Sequence, residues 1–233
     1  MLIAGFPAGP WATNCYVAAT GPGTECVIID PGKDAMTGVS DVVREHRLKP
    51  VSVLLTHGHI DHVWCVVPLT GSFESSAYLH PDDRHLLTDP MSGISPESAG
   101  MLRGAGYSFA EPDDVRELRD GMVLELAGLT LSVDHAPGHT AGSVTFRSPL
   151  DGDRDVPEVL FSGDVLFAGS IGRTDLPGGD HPTMLRTLAA KVLPLDDRIV
   201  VLPGHGPQTT IGAERRSNPF LAQLAPAAPA RGL

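Results

Sequence analysis

The sequence predicts an α/β fold in which two β-sheets pack together with helices outside them. Three observations carry this. Segments of strand character come in consecutive runs, separated by only a few helices, which argues against a regular βαβ barrel. Some of these segments are apolar throughout, as expected of strands covered on both faces. Hydrophobic residues make up 42% of the 233 residues, and 26 glycines and 21 prolines cut them into short elements. That composition supplies a core and excludes a disordered chain.

Along the chain, Asn14–Ala19 and Glu25–Asp30 read as strands around the turn residues Thr20–Thr24. Asp34 is placed to cap a helix whose apolar positions Met36, Val39, Val42 and Val43 follow helical spacing. Val51–Leu55 is a continuous apolar strand, a second helix starts near Asp61, and Ala77–Leu79 is a short strand. Residues 81–114 are rich in Ser, Gly and Pro. They read as short helices and loops inserted near the site, either capping it or running over the surface. Strands resume at Val115–Leu118, Met122–Ala127, Leu129–Asp134, Ser143–Arg147 and Glu158–Phe161, the last two separated by the polar stretch Ser148–Pro157. Pro182 opens a helix with Met184, Leu185, Leu188, Ala189 and Val192 on one face, and Arg198–Leu202 is a further buried strand. One domain over residues 1–224 is expected, with 225–233 an Ala/Pro-rich flexible tail.

Charge and cysteine usage exclude several functions. The formal net charge of −11 lacks the footprint of a phosphate-backbone binder, so no nucleic-acid partner is expected. No apolar run reaches the roughly 18 residues of a membrane span. The first residues carry no basic stretch and are interrupted by Gly5, Pro7, Gly9 and Pro10, unlike an export signal. Cys15, Cys26 and Cys65 are an odd number without C-x-x-C spacing, which fits a reducing, cytoplasmic compartment and no disulfide framework. A small-molecule substrate is the remaining expectation.

Chemistry concentrates at strand ends. Thr56-His57-Gly58-His59-Ile60-Asp61-His62 follows the strand Val51–Leu55 directly. Imidazole nitrogen and carboxylate oxygen both ligate zinc or iron. His57 and His59 alternate and can meet at one point, while Asp61 and His62, at the start of the next helix, can meet at another. The pattern recurs. One strand leads into Pro137-Gly138-His139, another into Ser162-Gly163-Asp164, and a third into Pro203-Gly204-His205. Each exit carries a glycine that permits a tight turn, then one His or Asp.

These motifs, with Asn14-Cys15-Tyr16, Asp30-Pro31-Gly32, Gly163–Phe167, Ile171–Asp180 and Asn218-Pro219-Phe220, resemble the metallo-β-lactamase-fold hydrolases. Within them the chain is similar to the glyoxalase II-like branch, the hydroxyacylglutathione hydrolases and their short relatives. The resemblance covers nearly the whole chain and implies a four-layer αββα sandwich with two divalent metal ions at its edge. Zinc is the default, with iron and manganese suited to the same donors. By motif match, His57, His59 and His139 would hold one ion and Asp61, His62 and His205 the other, with Asp164 bridging them. Asp30 and Ser143 would buttress these loops. The implied reaction is metal-dependent hydrolysis of a thioester such as an S-(2-hydroxyacyl) thiol, by a water shared between the ions, and Asp61 would also orient that water.

Full-length glyoxalase II adds a C-terminal helical region that helps bind glutathione. Only Pro207–Leu233 follows the last ligand here, so glutathione and another thiol carrier both stay open. The alternatives are a mononuclear iron persulfide dioxygenase, which shares a segment like Gly172–Asp175, a lactonase or other small-ester hydrolase, and a non-catalytic metal-dependent binding module. Arg173 either binds an anionic substrate group or pairs with Asp175 within its loop. His46, His80, His85, His135 and His181 read as structural or exposed, Cys65 as buried packing, and Trp11 and Trp64 as packing or as lining the site mouth.

Overall fold

The computed structural model describes residues 1–150 and 155–224. The expected tail 225–233 and part of the polar stretch 148–157 lie outside them. The first sheet holds β1 (Leu2–Ala8), β2 (Thr13–Ala19), β3 (Glu25–Ile29), β4 (Lys49–Leu54), β5 (Ser76–Leu79) and β6 (Val115–Glu117), in that spatial order. β1, β2 and β3 pair antiparallel, and β3 through β6 pair parallel. The second sheet holds β7 (Val123–Leu126), β8 (Leu129–His135), β9 (Val144–Pro149), β10 (Glu158–Gly163), β11 (Val200–Pro203) and β12 (Thr209–Thr210), in consecutive order across it. Its pairs are antiparallel except β10 with β11.

Strand periodicity divides the side chains between three apolar layers. From β2, Cys15 and Val17 face outward with Val39 of α1 (Ala35–His46) and Leu69 of α3 (Val66–Phe73). Tyr16 and Ala18, one residue out of phase, face inward and meet Phe146 and Phe161 of the second sheet. On β10, Val159 and Phe161 face that same inner layer, while Leu160 faces Met184 of α5 (His181–Thr187) and Ile211 of α6 (Ile211–Ser217). Three apolar interfaces between four layers make the expected αββα sandwich. β4 is covered on both faces, with Val53 in the outer layer and Leu54 in the inner one.

Four local features differ from the sequence reading. β1 is not among the strands read from the sequence, and Gly5 and Pro7 lie within it. It is an edge strand, where a proline costs little pairing, and the Tyr16 ring lies over Gly5, where a Cβ would come within 2.8 Å of it. Asp34 precedes α1 in the left-handed region (φ 62°) and makes no side-chain cap bond. The helix expected near Asp61 is two pieces, α2 (Ile60–Val63) and α3. After the last strand, α6 and α7 (Pro219–Ala222) add Ile211 and Leu221 to the third apolar layer. Residues 81–114 form 3-10 turns at Pro81–Leu87 and Pro90–Gly93, then α4 (Pro96–Gly104). The three cysteines are free and buried. Among the described residues no helix is long and apolar enough to cross a membrane.

Candidate metal centre

The two sheets bring the chain segments that follow β4, β8, β10 and β11 to one rim. Backbone bonds stitch them there, from Val144 N–H to the Thr56 carbonyl (2.8 Å) and from Asn14 N–H to the Gly204 carbonyl (2.7 Å). At that rim three sets of donor atoms lie within 4.8 Å of one another: His57, His59 and His139; His57, His62 and Asp164; and Asp61, His62 and His205. Together they are the seven residues that the sequence singled out. The Asp164 carboxylate lies between the sets. Its Oδ2 is 3.5 Å from His139 Nε2 and 3.6 Å from His205 Nε2, and its Oδ1 is 3.4 Å from His62 Nε2. Asp61 Oδ2 stands 3.1 Å from His205 Nε2 and accepts the Thr13 hydroxyl at 3.1 Å.

Buried partners set the ring orientations. Asp30 accepts the Thr56 N–H (2.8 Å) and hydroxyl (2.6 Å), and its Oδ2 lies 3.0 Å from His62 Nδ1. His139 Nδ1 lies 2.7 Å from the Arg173 carbonyl, which must accept, so Nδ1 carries the proton and the Nε2 lone pair is left for the centre. Asn14 Nδ2 donates to the Pro203 and Gly206 carbonyls (3.0 and 2.8 Å), and the Tyr16 hydroxyl donates to Pro203 (2.8 Å), pinning the His205 loop from the opposite sheet. Ser143 Oγ accepts the Thr140 N–H at 3.1 Å and so braces the His139 loop without touching a donor ring.

One residue of this scaffold was missed in the sequence. Asp83, from the 3-10 turn Pro81–Leu87, is buried and accepts Gly58 N–H (2.8 Å), the Thr140 hydroxyl (2.7 Å) and Gly142 N–H (2.8 Å). It thereby clamps the His57–His62 turn to the His139 loop. Pro81-Asp82-Asp83 reads locally as an acidic first turn, and no local signal reports its distant partners.

The electrostatics suit cations. Burial first, then the neighbouring imidazoles, hold His57 well below the ordinary histidine range. Burial also pushes His59 down to about 4 and His139 to about 3. These rings are neutral at pH 7 and offer lone pairs. For His62 burial lowers the pKa, but Asp61, Asp164 and Asp30 outweigh it and raise the ring to about 10. Burial lifts Asp164 to about 6. His57 Nε2 and Asp164 Oδ1 are buried with no hydrogen-bond partner. Such atoms are costly unless a ligand satisfies them, and they lie within the sets just described. The backbone leaves room for the carboxylate, since a Cβ on Gly204 would fall 2.2 Å from Asp164 Oδ1. The donor set therefore fits divalent metal.

A fourth close set, His80, Asp82 and His135, does not. The two rings stack in parallel, 4.1 Å apart and tilted by 3°. A ligated ion lies in the plane of each imidazole, which parallel stacked planes cannot share. His80 and His135 are structural, as expected.

Five of the seven donors, His59, Asp61, His139, Asp164 and His205, line a cavity of about 480 Å³. Ile94, Ser95, Ser98 and Leu102, from the segment 81–114, form part of its wall. Trp11 lines it too, whereas Trp64 packs behind Trp11 at 5.8 Å between ring centroids. Arg173 reaches the wall, but Asp175 holds it in a two-pronged ion pair (2.7 and 2.8 Å), one of its two expected roles.

Residues 8–205 match the family model of the metallo-beta-lactamase superfamily. An uncharacterized protein of Mycobacterium tuberculosis is 52% identical over 225 residues, covering 96% of this chain and 99% of that one. The hydroxyacylglutathione hydrolase GloC of Haemophilus influenzae is 38% identical over 194 residues, 83% of this chain and 86% of its own. The crystal structure of the BLEG-1 B3 metallo-beta-lactamase superposes with a TM-score of 0.78 at 42% identity, covering 94% of this chain and 99% of that one.

Proposed function

The chain belongs to the metallo-β-lactamase superfamily as a metal-dependent hydrolase, and on that premise we propose that it hydrolyses thioesters, with an S-(2-hydroxyacyl) thiol as the type substrate. His57, His59 and His139 would hold one divalent ion, and Asp61, His62 and His205 a second, with Asp164 between them. Zinc is the default, and iron or manganese suits the same donors. Bound there, the ions supply a water of lowered pKa and a Lewis acid for the carbonyl oxygen.

The protein's own groups do the rest. The Arg173 carbonyl and Asp30 fix the rings of His139 and His62 before substrate arrives. Asp61, steadied by Thr13, faces the cavity and would orient the attacking water by accepting one of its O–H groups. Trp11 and Phe167 line the cavity beside these donors. The water oxygen bonds to the carbonyl carbon and the C–S bond breaks. One water proton ends on the sulfur, giving acid and thiol.

The observation that carries this reading is the opening of the donor cluster onto a cavity large enough for a small acyl thiol. Similarity to a relative named a hydroxyacylglutathione hydrolase supports the thioester. Persulfide oxygenation needs one iron, and the close set Asp61–His62–His205 favours a second ion instead.

The test is a substrate panel on protein of measured metal content: S-lactoylglutathione, other acyl thiols, a lactone, a β-lactam, and a persulfide with oxygen uptake recorded. Thioester cleavage that a chelator abolishes and metal restores is expected. Fully loaded protein that leaves every thioester intact, or consumes oxygen with the persulfide, overturns the proposal.

A further inference from the structure

Asn218-Pro219-Phe220 supplies no donor to the centre, yet with α6 it reaches the cavity wall. Glu214 of α6 is only 3% exposed. Its carboxyl group accepts the Gly169 N–H at 2.8 Å, the Asn218 amide at 2.8 Å and the Thr209 hydroxyl at 2.6 Å. The Asn218 amide also donates to the Ser170 carbonyl at 3.0 Å. Gly169 and Ser170 belong to one short hairpin. Phe167 and Ser170 bond to each other at 3.0 and 3.3 Å across Ala168 and Gly169. Gly169 takes φ 73°, which such a turn requires at its second central position. Ala168 and Gly169 are exposed, and a lone hairpin is marginally stable in water. Leu166 and Ile171 anchor its two ends in the third apolar layer. Glu214 and Asn218 tie down the part between them.

The hairpin bears on the site through Phe167 and Ser170, which line the cavity. The Phe167 ring stands edge-on to His205, with centroids 6.1 Å apart and planes at 87°. Burying an acidic side chain is costly unless donors replace its water. Of the donors that Glu214 takes in return, the Gly169 N–H and the Asn218 amide are the ones that fix the hairpin. We propose that Glu214 and Asn218 are positioning residues, holding the Phe167–Ser170 hairpin so that Phe167 forms the substrate contact at the His205 end of the cavity. The inference rests on the thioesterase reading for the substrate, and it adds a contact residue and its support. Glu214 and Asn218 line no part of the cavity and act through Phe167.

The experiment is a double-mutant cycle with two readouts. On metal-free protein the ring protons of His205 are followed by NMR, since the ring current of Phe167 displaces them. Phe167→Ala should move these resonances, and Glu214→Ala should move them in the same direction. Adding Glu214→Ala to Phe167→Ala should move them no further. Glu214→Gln keeps an acceptor for Gly169 and Asn218 and should restore the wild-type position. Asn218→Ser keeps an oxygen to cap α7 but loses the amide donor, and it serves if Glu214→Ala does not fold. On metal-loaded protein, Phe167→Ala and Glu214→Ala should each lower kcat/KM for S-lactoylglutathione about tenfold, chiefly through KM. Bound metal should stay unchanged, and the double variant should be no worse than Phe167→Ala. A Glu214 that only supports the fold would cost the same in both backgrounds. His205 resonances that Glu214→Ala and Asn218→Ser leave in place, or additive losses in the cycle, overturn the proposal. If the wild type leaves the thioester intact, the thioesterase reading fails, and the His205 resonances still decide whether Glu214 and Asn218 place Phe167.

Discussion

Asp83 accepts the backbone N–H of Gly58 at 2.8 Å, a bond that enters the donor-bearing turn from a segment contributing no donor of its own. The same carboxylate holds Thr140 and Gly142, so the His57–His59 turn and the His139 loop share one anchor. Asp83→Ala leaves buried N–H groups unpaired and lets the two loops separate. Affinity for the first metal is expected to fall about 10- to 100-fold, as for other residues that orient ligands. The melting temperature should also drop. Metal titration against a chelator of known affinity checks this, and unchanged affinity would reduce Asp83 to a packing role.

Gly204→Ala should be more damaging to the centre than to the fold. The added methyl falls 2.2 Å from Asp164 Oδ1 and 2.8 Å from His62 Cε1, and Gly204 lies in the loop at the rim. Circular dichroism is expected to stay native while bound metal falls below one ion per chain. Full metal occupancy in this variant would mean that the carboxylate is free to sit elsewhere.

The His205 loop depends on the opposite sheet. Asn14→Ala removes the donor to two of its carbonyls, Pro203 and Gly206. A loss of about 1–3 kcal/mol is expected from denaturant unfolding. Occupancy at the Asp61–His62–His205 set should weaken before that at the His57–His59–His139 set. Tyr16→Phe, which loses one bond to Pro203, should show the smaller effect.

The metal-free protein should be most stable near neutral pH. Burial holds His59 down to about 4 and His139 to about 3, whereas the unfolded chain takes those protons at about 6.5. Below about 6.5 the unfolded state binds more protons. Stability from these rings, complete above that pH, is therefore lost as the pH falls toward 4 and 3. His62 has the opposite sign. Burial lowers it, but its three carboxylate neighbours raise it to about 10, so its contribution is complete below about 6.5 and fades as pH rises through 10. Thermal melts should show a maximum near neutrality, with a fall of several degrees by pH 4.5. A melting temperature that climbs steadily into acid contradicts this.

The donor residues were legible because they sit just past apolar strands, five of the seven next to a glycine, where a short stretch of sequence shows both the strand and its exit. The layers were legible from alternation, as in β2, where Cys15 and Val17 face one way and Tyr16 and Ala18 the other. What escaped depends on partners distant in sequence. Pro7 is tolerable in β1 only because β1 lies at a sheet edge. Asp83 earns its role from Gly58, Thr140 and Gly142, which the chain brings to it only on folding. Of the two readings of Arg173, the pairing with Asp175 is present, and it depends on a neighbour two residues away.

Every role proposed for the rim needs a pair of cations on these seven side chains. The most direct measurement is a crystal structure of the metal-loaded protein with anomalous scattering recorded at the metal edge. Two peaks are predicted, one among His57, His59 and His139 and the other among Asp61, His62 and His205, with Asp164 reaching both. A single peak, or density at His80 and His135 in place of these, would contradict it.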